Sequence, residues 1–86
     1  MQISVDISLY PLKDDYIPAI DEFIAKADSA GGIKVVKNTL STQLYGDINI
    51  IMPFLQSAFE ESWMKWGQGI FATRFLMGDL APPTVI

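Results

Sequence analysis

Residues 2–10 read Gln-Ile-Ser-Val-Asp-Ile-Ser-Leu-Tyr, and apolar and polar side chains alternate at every position. Successive side chains of a β-strand point to opposite faces, so this alternation predicts a strand with one apolar and one polar face. Pro11 has no N–H for a strand ladder and is expected to close the strand. The chain is therefore predicted to open with a strand that buries one face.

A helix is expected to follow from about Tyr16, with Asp14 or Asp15 as its N-cap and Pro18 in its first turn. Its apolar side chains recur at spacings of three and four residues, which is typical of a helix that buries one face. The run Ser29-Ala30-Gly31-Gly32 is expected to end it, because glycine adopts the left-handed conformation at little cost. The apolar residues of this helix are Ile17, Ile20, Phe23, Ile24 and Ala27.

Residues 38–46, Asn-Thr-Leu-Ser-Thr-Gln-Leu-Tyr-Gly, bring several hydroxyl and amide side chains close together. They follow a short β-branched strand at 33–37, and the turn between the two strands is expected within 37–40. Period-two spacing predicts a third strand with one polar and one apolar face. The polar face holds Ser41, Gln43 and Tyr45, and the apolar face holds Leu40 and Leu44.

Asp47 is expected to cap a second helix that runs to about Trp66. Pro53 lies beyond the first turn of this helix and removes one backbone hydrogen bond. It is therefore expected to kink the helix or to delay its regular part to about Met52. The buried stripe of the helix is predicted to hold Ile48, Ile51, Leu55, Ala58, Phe59 and Ser62.

Residues 70–77 are predicted to form a fourth strand, after a glycine-rich break at 66–69. Neither side of this strand is clearly polar, which predicts that both sides are covered and indicates a contact between subunits. One side holds Phe71, Phe75 and Met77, and the other holds Ile70, Ala72, Arg74 and Leu76.

The predicted order of elements is β-α-β-β-α-β, which gives an α+β, ferredoxin-like fold. Its four-stranded antiparallel sheet carries both helices on one face, and the first and third strands are central. Residues 1–80 are expected to form a single domain, and residues 81–86 a C-terminal tail that is loose or lies on a neighbouring subunit. The open face of the sheet is then predicted to hold Ser4, Asp6, Ser8, Tyr10, Ser41, Gln43 and Tyr45.

The composition favours a binding protein over an enzyme. The 86 residues are 50% apolar and contain no cysteine and no histidine, which excludes disulfides, sulfur-based zinc sites and Ser-His triads. A net charge of −4 opposes binding to nucleic acid. No apolar run approaches the roughly 20 residues that span a membrane, and Met1 starts no secretory signal. A cytoplasmic location and no cofactor are expected.

Several short motifs, in their order and spacing, make the chain resemble the YkoF-type and related thiamine- or hydroxymethylpyrimidine-binding domains. They are Ile7-Ser8-Leu9-Tyr10-Pro11-Leu12, Asn38 with Ser41-Thr42, Gly46-Asp47 and Trp66-Gly67. The resemblance covers Ser4 to about Leu80. It implies a ferredoxin-like homodimer or homotetramer, associated through its sheets, that binds a thiamine-like or pyrimidine-like small molecule without chemistry. The candidate site residues that it carries over are Ser8, Tyr10, Asn38, Ser41 and Thr42.

Each candidate residue also has an ordinary structural interpretation. Asn38, Ser41 and Thr42 could orient a pyrimidine ring, or they could simply shape the hairpin turn. Trp66, beside a glycine, is a candidate aromatic wall for a flat cationic ring, whereas aromatic residues at helix ends more often belong to the core. If an oligomer buries the sheet face, Asp6 needs a partner, which could be a ligand amine, Arg74 or a lysine of another subunit; otherwise it is a solvated or salt-bridged strand residue.

Three other functions are compatible with the same topology. An amino-acid-sensing regulatory domain is disfavoured because the first strand is not followed by a glycine-rich loop. A cofactor-free dimeric enzyme is disfavoured by the lack of histidine. An RNA-recognition module would need basic and aromatic residues at middle-strand positions that here hold Asp6, Ser8, Ser41 and Gln43.

Overall fold

The computed structural model describes residues 1–82, which form a β-α-β-β-α-β chain as predicted. Two helices pack on a four-stranded sheet in the ferredoxin-like α+β layout. The strands are β1 (Gln2–Pro11), β2 (Ile33–Lys37), β3 (Thr42–Asp47) and β4 (Gly69–Met77), and the helices are α1 (Ile17–Ser29) and α2 (Ile48–Trp66).

The sheet has the strand order β2-β3-β1-β4, and every neighbouring pair is antiparallel. The prediction that the first and third strands are central is therefore confirmed. β1 pairs with β4 as far as Pro11, which lies opposite Gly69, but its pairing with β3 ends where Ile7 lies opposite Thr42. Residues 8–11 of β1 thus extend beyond the start of β3.

The core lies between the helices and the apolar face of the sheet. Alternate side chains of β1 are almost fully buried, as their spacing predicts, and Leu44 of β3 lies beside them. The predicted stripe of α2 packs against the same face, because its buried residues recur at helical spacing. The buried cluster consists of Ile3, Val5, Ile7, Phe23, Ala27, Leu44, Ile51, Leu55 and Ala58.

The two helix starts differ from each other in capping. Asp47 caps α2 as predicted, since its Oδ1 accepts a hydrogen bond from the backbone N–H of Asn49 at 2.8 Å. The prediction that Asp14 or Asp15 caps α1 is wrong, because α1 begins at Ile17 and the N-cap position falls on Tyr16, which makes no side-chain capping bond. The two aspartates lie too early in the chain to reach the first free N–H groups.

Pro53 does not delay the start of α2, which runs from Ile48 through Pro53 to Trp66. The delayed start that was one of the two expectations is therefore wrong. The cap at Asp47 fixes the first turn, and the buried residues Ile51 and Leu55 on either side of the proline anchor the helix against the sheet.

Leu40 is not part of the apolar face that was predicted for the third strand. β3 begins only at Thr42, so Leu40 lies in the turn before it, and 88% of its surface is exposed. The turn closes through a hydrogen bond from the Asn38 N–H to the Ser41 carbonyl. Leu44, two residues into the strand, is fully buried as expected.

The expectation that both sides of β4 are covered is not met within one chain. β4 is an edge strand, and on the open face of the sheet Ile70 and Leu76 remain more than half exposed. Phe75 and Met77, on the opposite side, are also exposed, because the helices do not extend over this end of the strand.

The chain after β4 returns across the open face of the sheet. The Ser4 hydroxyl donates to the Gly78 carbonyl at 2.8 Å and accepts from the Leu80 N–H at 2.9 Å. The Lys34 ammonium of β2 donates to the Pro82 carbonyl. Of the tail predicted at 81–86, residues 83–86 lie outside the described part of the chain.

Gly46 provides a test of how closely β3 packs. A Cβ on Gly46 would lie 2.7 Å from the backbone carbonyl oxygen of Gly32 and 3.5 Å from a methyl group of Ile51. We expect Gly46→Ala to lower the free energy of unfolding by about 1–3 kcal/mol, because backbone must move to admit the methyl group. Urea denaturation measures this difference.

Gly31→Ala is the matched control for this substitution. A Cβ on Gly31 would have no neighbour within 4 Å, so the variant should keep the wild-type stability or exceed it slightly. Equal losses in Gly31→Ala and Gly46→Ala would contradict the packing described for β3.

Candidate functional site

A cavity with a volume of about 560 Å³ lies at the end of β1. Small-molecule sites commonly have volumes of about 300–1,000 Å³. It lies between the end of β1, the first half of α1 and the turn that joins β2 to β3. The lining residues are 7–11 of β1, Tyr16, Ile20, Phe23 and Ile24 of the α1 segment, and 38–42 of the turn and β3.

The cavity exists because β1 and β3 end at different places. β3 begins opposite Ile7, so the edge of residues 8–11 that faces it has no strand partner among residues 1–82. The α1 helix then lies over the apolar side of this unpaired segment. A ligand in the cavity therefore meets an open backbone edge, which offers N–H and C=O groups for hydrogen bonding.

The interior of the cavity is apolar and its mouth is aromatic. Ile7 and Phe23, which line the interior, are 1% and 5% exposed. Tyr10 comes from the end of β1 and Tyr16 from the start of α1, and each is about half exposed. Two phenol rings thus lie beside an apolar interior, an arrangement that suits a flat ring with polar edges.

The turn at residues 38–41, which forms the polar rim of the cavity, is held to the sheet by side-chain hydrogen bonds. The Ser8 hydroxyl of β1 donates to the Leu40 carbonyl at 3.1 Å. The Gln43 amide donates to the Ser41 hydroxyl at 3.2 Å and accepts from the amide of Asn38. These contacts fix the turn, and they support the interpretation that Asn38, Ser41 and Ser8 shape the hairpin.

Gln43 also connects this rim to an ion pair on the open face of the sheet. Its amide donates to Oδ1 of Asp6 at 3.0 Å, while Nε and Nη2 of Arg74 donate to Oδ2 of Asp6 at 3.1 and 2.7 Å. Hydrogen bonds from Ser41, Arg74 and Gln43 hold the pKa of the Asp6 carboxyl below its usual range. Asp6 is therefore a charged anchor within the sheet face.

Five of the seven sequence-predicted site residues line the cavity, namely Ser8, Tyr10, Asn38, Ser41 and Thr42. Asp6 lies outside it, on the open face, in a smaller cavity that Arg74 and Leu80 also line.

Trp66 also lies outside the cavity. Its indole N–H donates to Glu22 of α1, and the ammonium groups of Lys13 and Lys65 each lie 5.0 Å from its ring centre. The structure thus packs Trp66 between the two helices among charged neighbours. Trp63, one turn earlier, packs against Phe59 and Phe71.

Tyr16, Ile20, Phe23 and Ile24 line the cavity although the sequence did not mark them as site residues. The three apolar residues have the same helical spacing as the core residues, so the sequence pattern does not distinguish cavity lining from core packing. Tyr16 had no sequence signal either, because the sequence placed the N-cap at Asp14 or Asp15 and only the structure places it at Tyr16.

Neither a metal site nor a membrane-spanning helix is found in residues 1–82. No three carboxylate side chains in this part of the chain lie close enough together to hold a metal ion. Neither of the two described helices is long and apolar enough to cross a membrane.

Comparison with known proteins gives one family and several structural neighbours. Residues 2–70 match the model of the YKOF-related family. No curated protein sequence is significantly similar to this chain.

Several solved structures share the fold of this chain at low sequence identity. A protein of Streptococcus pneumoniae superposes with a TM-score of 0.83 at 22% identity, and the match covers 93% of this chain and 90% of that one. A protein of Thermotoga maritima, whose name proposes a role in thiamine biosynthesis or salvage, superposes with a TM-score of 0.78 at 19% identity, covering 87% and 82%. At these identities, the likeness establishes the fold alone.

The anchoring of Asp6 predicts a stability that depends on pH. Because its pKa is lower in the folded chain, the ionised carboxylate stabilises the fold above the ordinary value of 3.8, and this contribution is lost as the pH falls through the folded pKa. We expect Asp6→Asn to be less stable than wild type near neutral pH. The difference should shrink as the pH drops below about 4. Urea denaturation across this range measures it.

Ser8→Ala is the control, since it removes a neutral hydroxyl that bonds to the Leu40 carbonyl. Its loss of stability should not change with pH over the same range. An Asp6→Asn difference that is constant between about pH 7 and pH 3 would show that the carboxylate is not held in its charged form by these contacts.

Proposed function

The chain belongs to the YKOF-related family, and from this membership and the cavity beside β1 we propose that it binds thiamine or its hydroxymethylpyrimidine moiety. In this proposal residues 1–80 act as one binding domain that stores, transports or senses the ligand. The observation that carries it is the combination of an apolar interior, two tyrosines at the mouth and a fixed polar rim in one cavity. A thiamine role in the name of the Thermotoga maritima neighbour is consistent with it.

The cavity offers complementary groups for an aminopyrimidine. Such a ring is flat, its nitrogens accept hydrogen bonds and its exocyclic amine donates them. The Tyr10 hydroxyl and the Thr39 hydroxyl have no partner within residues 1–82 and lie at the lining. Together with the open edge of residues 8–11, they can bond the edge of the ring while the partly buried Leu9, Ile20 and Ile24 cover its faces.

The tyrosines also suit the positive charge of a thiazolium ring. The face of a phenol ring attracts a cation, which contributes about 0.5–2 kcal/mol depending on solvent exposure. The net charge of −4 adds a weak long-range attraction for a cationic ligand. Tyr16 replaces Trp66 as the proposed aromatic wall, because Tyr16 lines the cavity and Trp66 does not.

We propose binding without a chemical step. General acid–base catalysis needs a titratable side chain within hydrogen-bond reach of the reacting atom. The titratable side chains of the described lining are the phenols of Tyr10 and Tyr16, and neither a carboxylate nor an amine lies beside them to exchange a proton. The fixed rim and apolar interior are therefore suited to holding a ligand.

Calorimetric titration with thiamine and with hydroxymethylpyrimidine tests the proposed function. We expect both to bind, and Tyr16→Ala to weaken the binding of thiamine by about tenfold, because it removes ring stacking and cation–π attraction. Tyr16→Phe, which keeps the ring, should bind almost as well as wild type.

Trp66→Phe is the matched control, since Trp66 contacts Glu22 and not the cavity. Its affinity for thiamine should equal that of wild type. No heat with either ligand at millimolar concentration would falsify the proposal, and a loss confined to Trp66→Phe would move the site to the end of α2.

We also propose that the chain forms a homodimer or homotetramer through the open face of its sheet. Ile70, Leu76 and Leu80 leave more than half of their surface exposed on or beside this face. The Asp6–Arg74 pair lies among them, so one face carries both apolar area and opposite charges. A two-fold contact places the same surface against itself, and such a mixed face is self-complementary.

Leu76→Asp tests this association. A charge at the centre of the contact would lose its hydration on association, so the variant should run as a monomer while wild type runs as a dimer or tetramer in size-exclusion chromatography with light scattering. Met64→Asp, on the exposed side of α2, should keep the wild-type mass. A monomeric wild type at about 100 μM would contradict the proposal.

A further inference from the structure

The charges around the cavity at the end of β1 determine which form of the ligand it can take. We infer that this site takes the unphosphorylated ligand and excludes its phosphate esters. The inference rests on the proposed function, and it goes beyond it by assigning the phosphorylation state.

The lining that the structure describes contains no lysine and no arginine. Two lysines lie close to it along the chain, and both are engaged elsewhere. Lys13 lies over the ring of Trp66, with its ammonium group 5.0 Å from the ring centre. Lys37 donates to the Asp28 carboxylate of α1 at 2.7 Å. A phosphate in the cavity would therefore have to draw one of these lysines away from its present partner.

The start of α1 is the other element of this region that could attract an anion, because the N–H groups of a first turn are free. Here that capacity is reduced in two ways. Pro18, within the first turn, has no N–H to offer. Asp14 and Asp15 come directly before the helix, and their negative charges oppose a phosphate there.

A phosphate group carries up to two negative charges at neutral pH and is strongly hydrated. The open edge of residues 8–11 offers few N–H groups, because Pro11 has none and alternate residues direct theirs to β4. Moving a phosphate into this cavity without a cation therefore costs more free energy than its new contacts recover. A neutral pyrimidine or a thiazolium cation has no such requirement. The same lining thus favours the unphosphorylated vitamin or its pyrimidine part and disfavours their phosphates.

Calorimetry with thiamine, thiamine monophosphate and thiamine diphosphate tests the inference on the wild-type chain. We expect each phosphate to bind at least about tenfold more weakly than thiamine. Equal or tighter binding of the monophosphate would overturn the inference and leave the proposed function standing. Binding of none of the three would overturn the proposed function and this inference with it.

Thr39→Lys adds the missing cation at the rim, and Thr39→Met is its uncharged match in length. The measured quantity is the ratio of the dissociation constants of thiamine monophosphate and thiamine. We expect this ratio to fall at least about threefold in Thr39→Lys relative to Thr39→Met, and the gain to weaken as salt is raised. An identical ratio in the two variants would show that the lack of a cation is not what excludes the phosphate.

Discussion

The rest of the structure depends on one constraint: β1 pairs with β4 along more of its length than with β3. β4 accompanies β1 as far as Pro11, whereas β3 stops accompanying it at Ile7. The first half of β1 is therefore an ordinary central strand whose alternate side chains fill the core. Its second half has one free backbone edge, and the cavity forms where α1 crosses over that edge.

A free strand edge is useful for binding only if its surroundings are held in place. The turn at 38–41 would otherwise be a mobile hairpin tip, since residues 38–40 are exposed and Ser41 is only partly buried. Ser8 and Gln43 fix it from two sides, and Gln43 is itself anchored by the Asp6–Arg74 pair. Ser8, Asn38 and Ser41, which the sequence indicated as ligand contacts, thus hold the turn in place through their own hydrogen bonds.

The sequence predicted the fold well because the signals for it are local. Period-two alternation in β1, the stripe of α2 and the cap at Asp47 each lie within one element, and the structure confirms all three. The prediction for Leu40 was wrong because two leucines four residues apart fit a continuous strand as well as a turn followed by a strand.

The shape of the cavity was not predictable, since it depends on the register between β1 and β3. The positions of Tyr16 at the cavity and of Trp66 outside it were not predictable for a similar reason, because contacts between elements decide which ring reaches the cavity.

The sheet also separates the charges of the protein from its apolar cavity. On β1 the odd-numbered side chains face the helices and the even-numbered ones face away, so Asp6 cannot share a side with Ile7 and Leu9. Arg74 lies directly opposite Asp6 on β4 and is drawn to the same face by the ion pair. Ser8 and Tyr10, which are also even-numbered, line the cavity because they lie beyond the end of the β1–β3 pairing, whereas Asp6 still pairs with Gln43 of β3 and stays on the open face. The strand register that opens the cavity therefore also keeps the Asp6–Arg74 pair outside it.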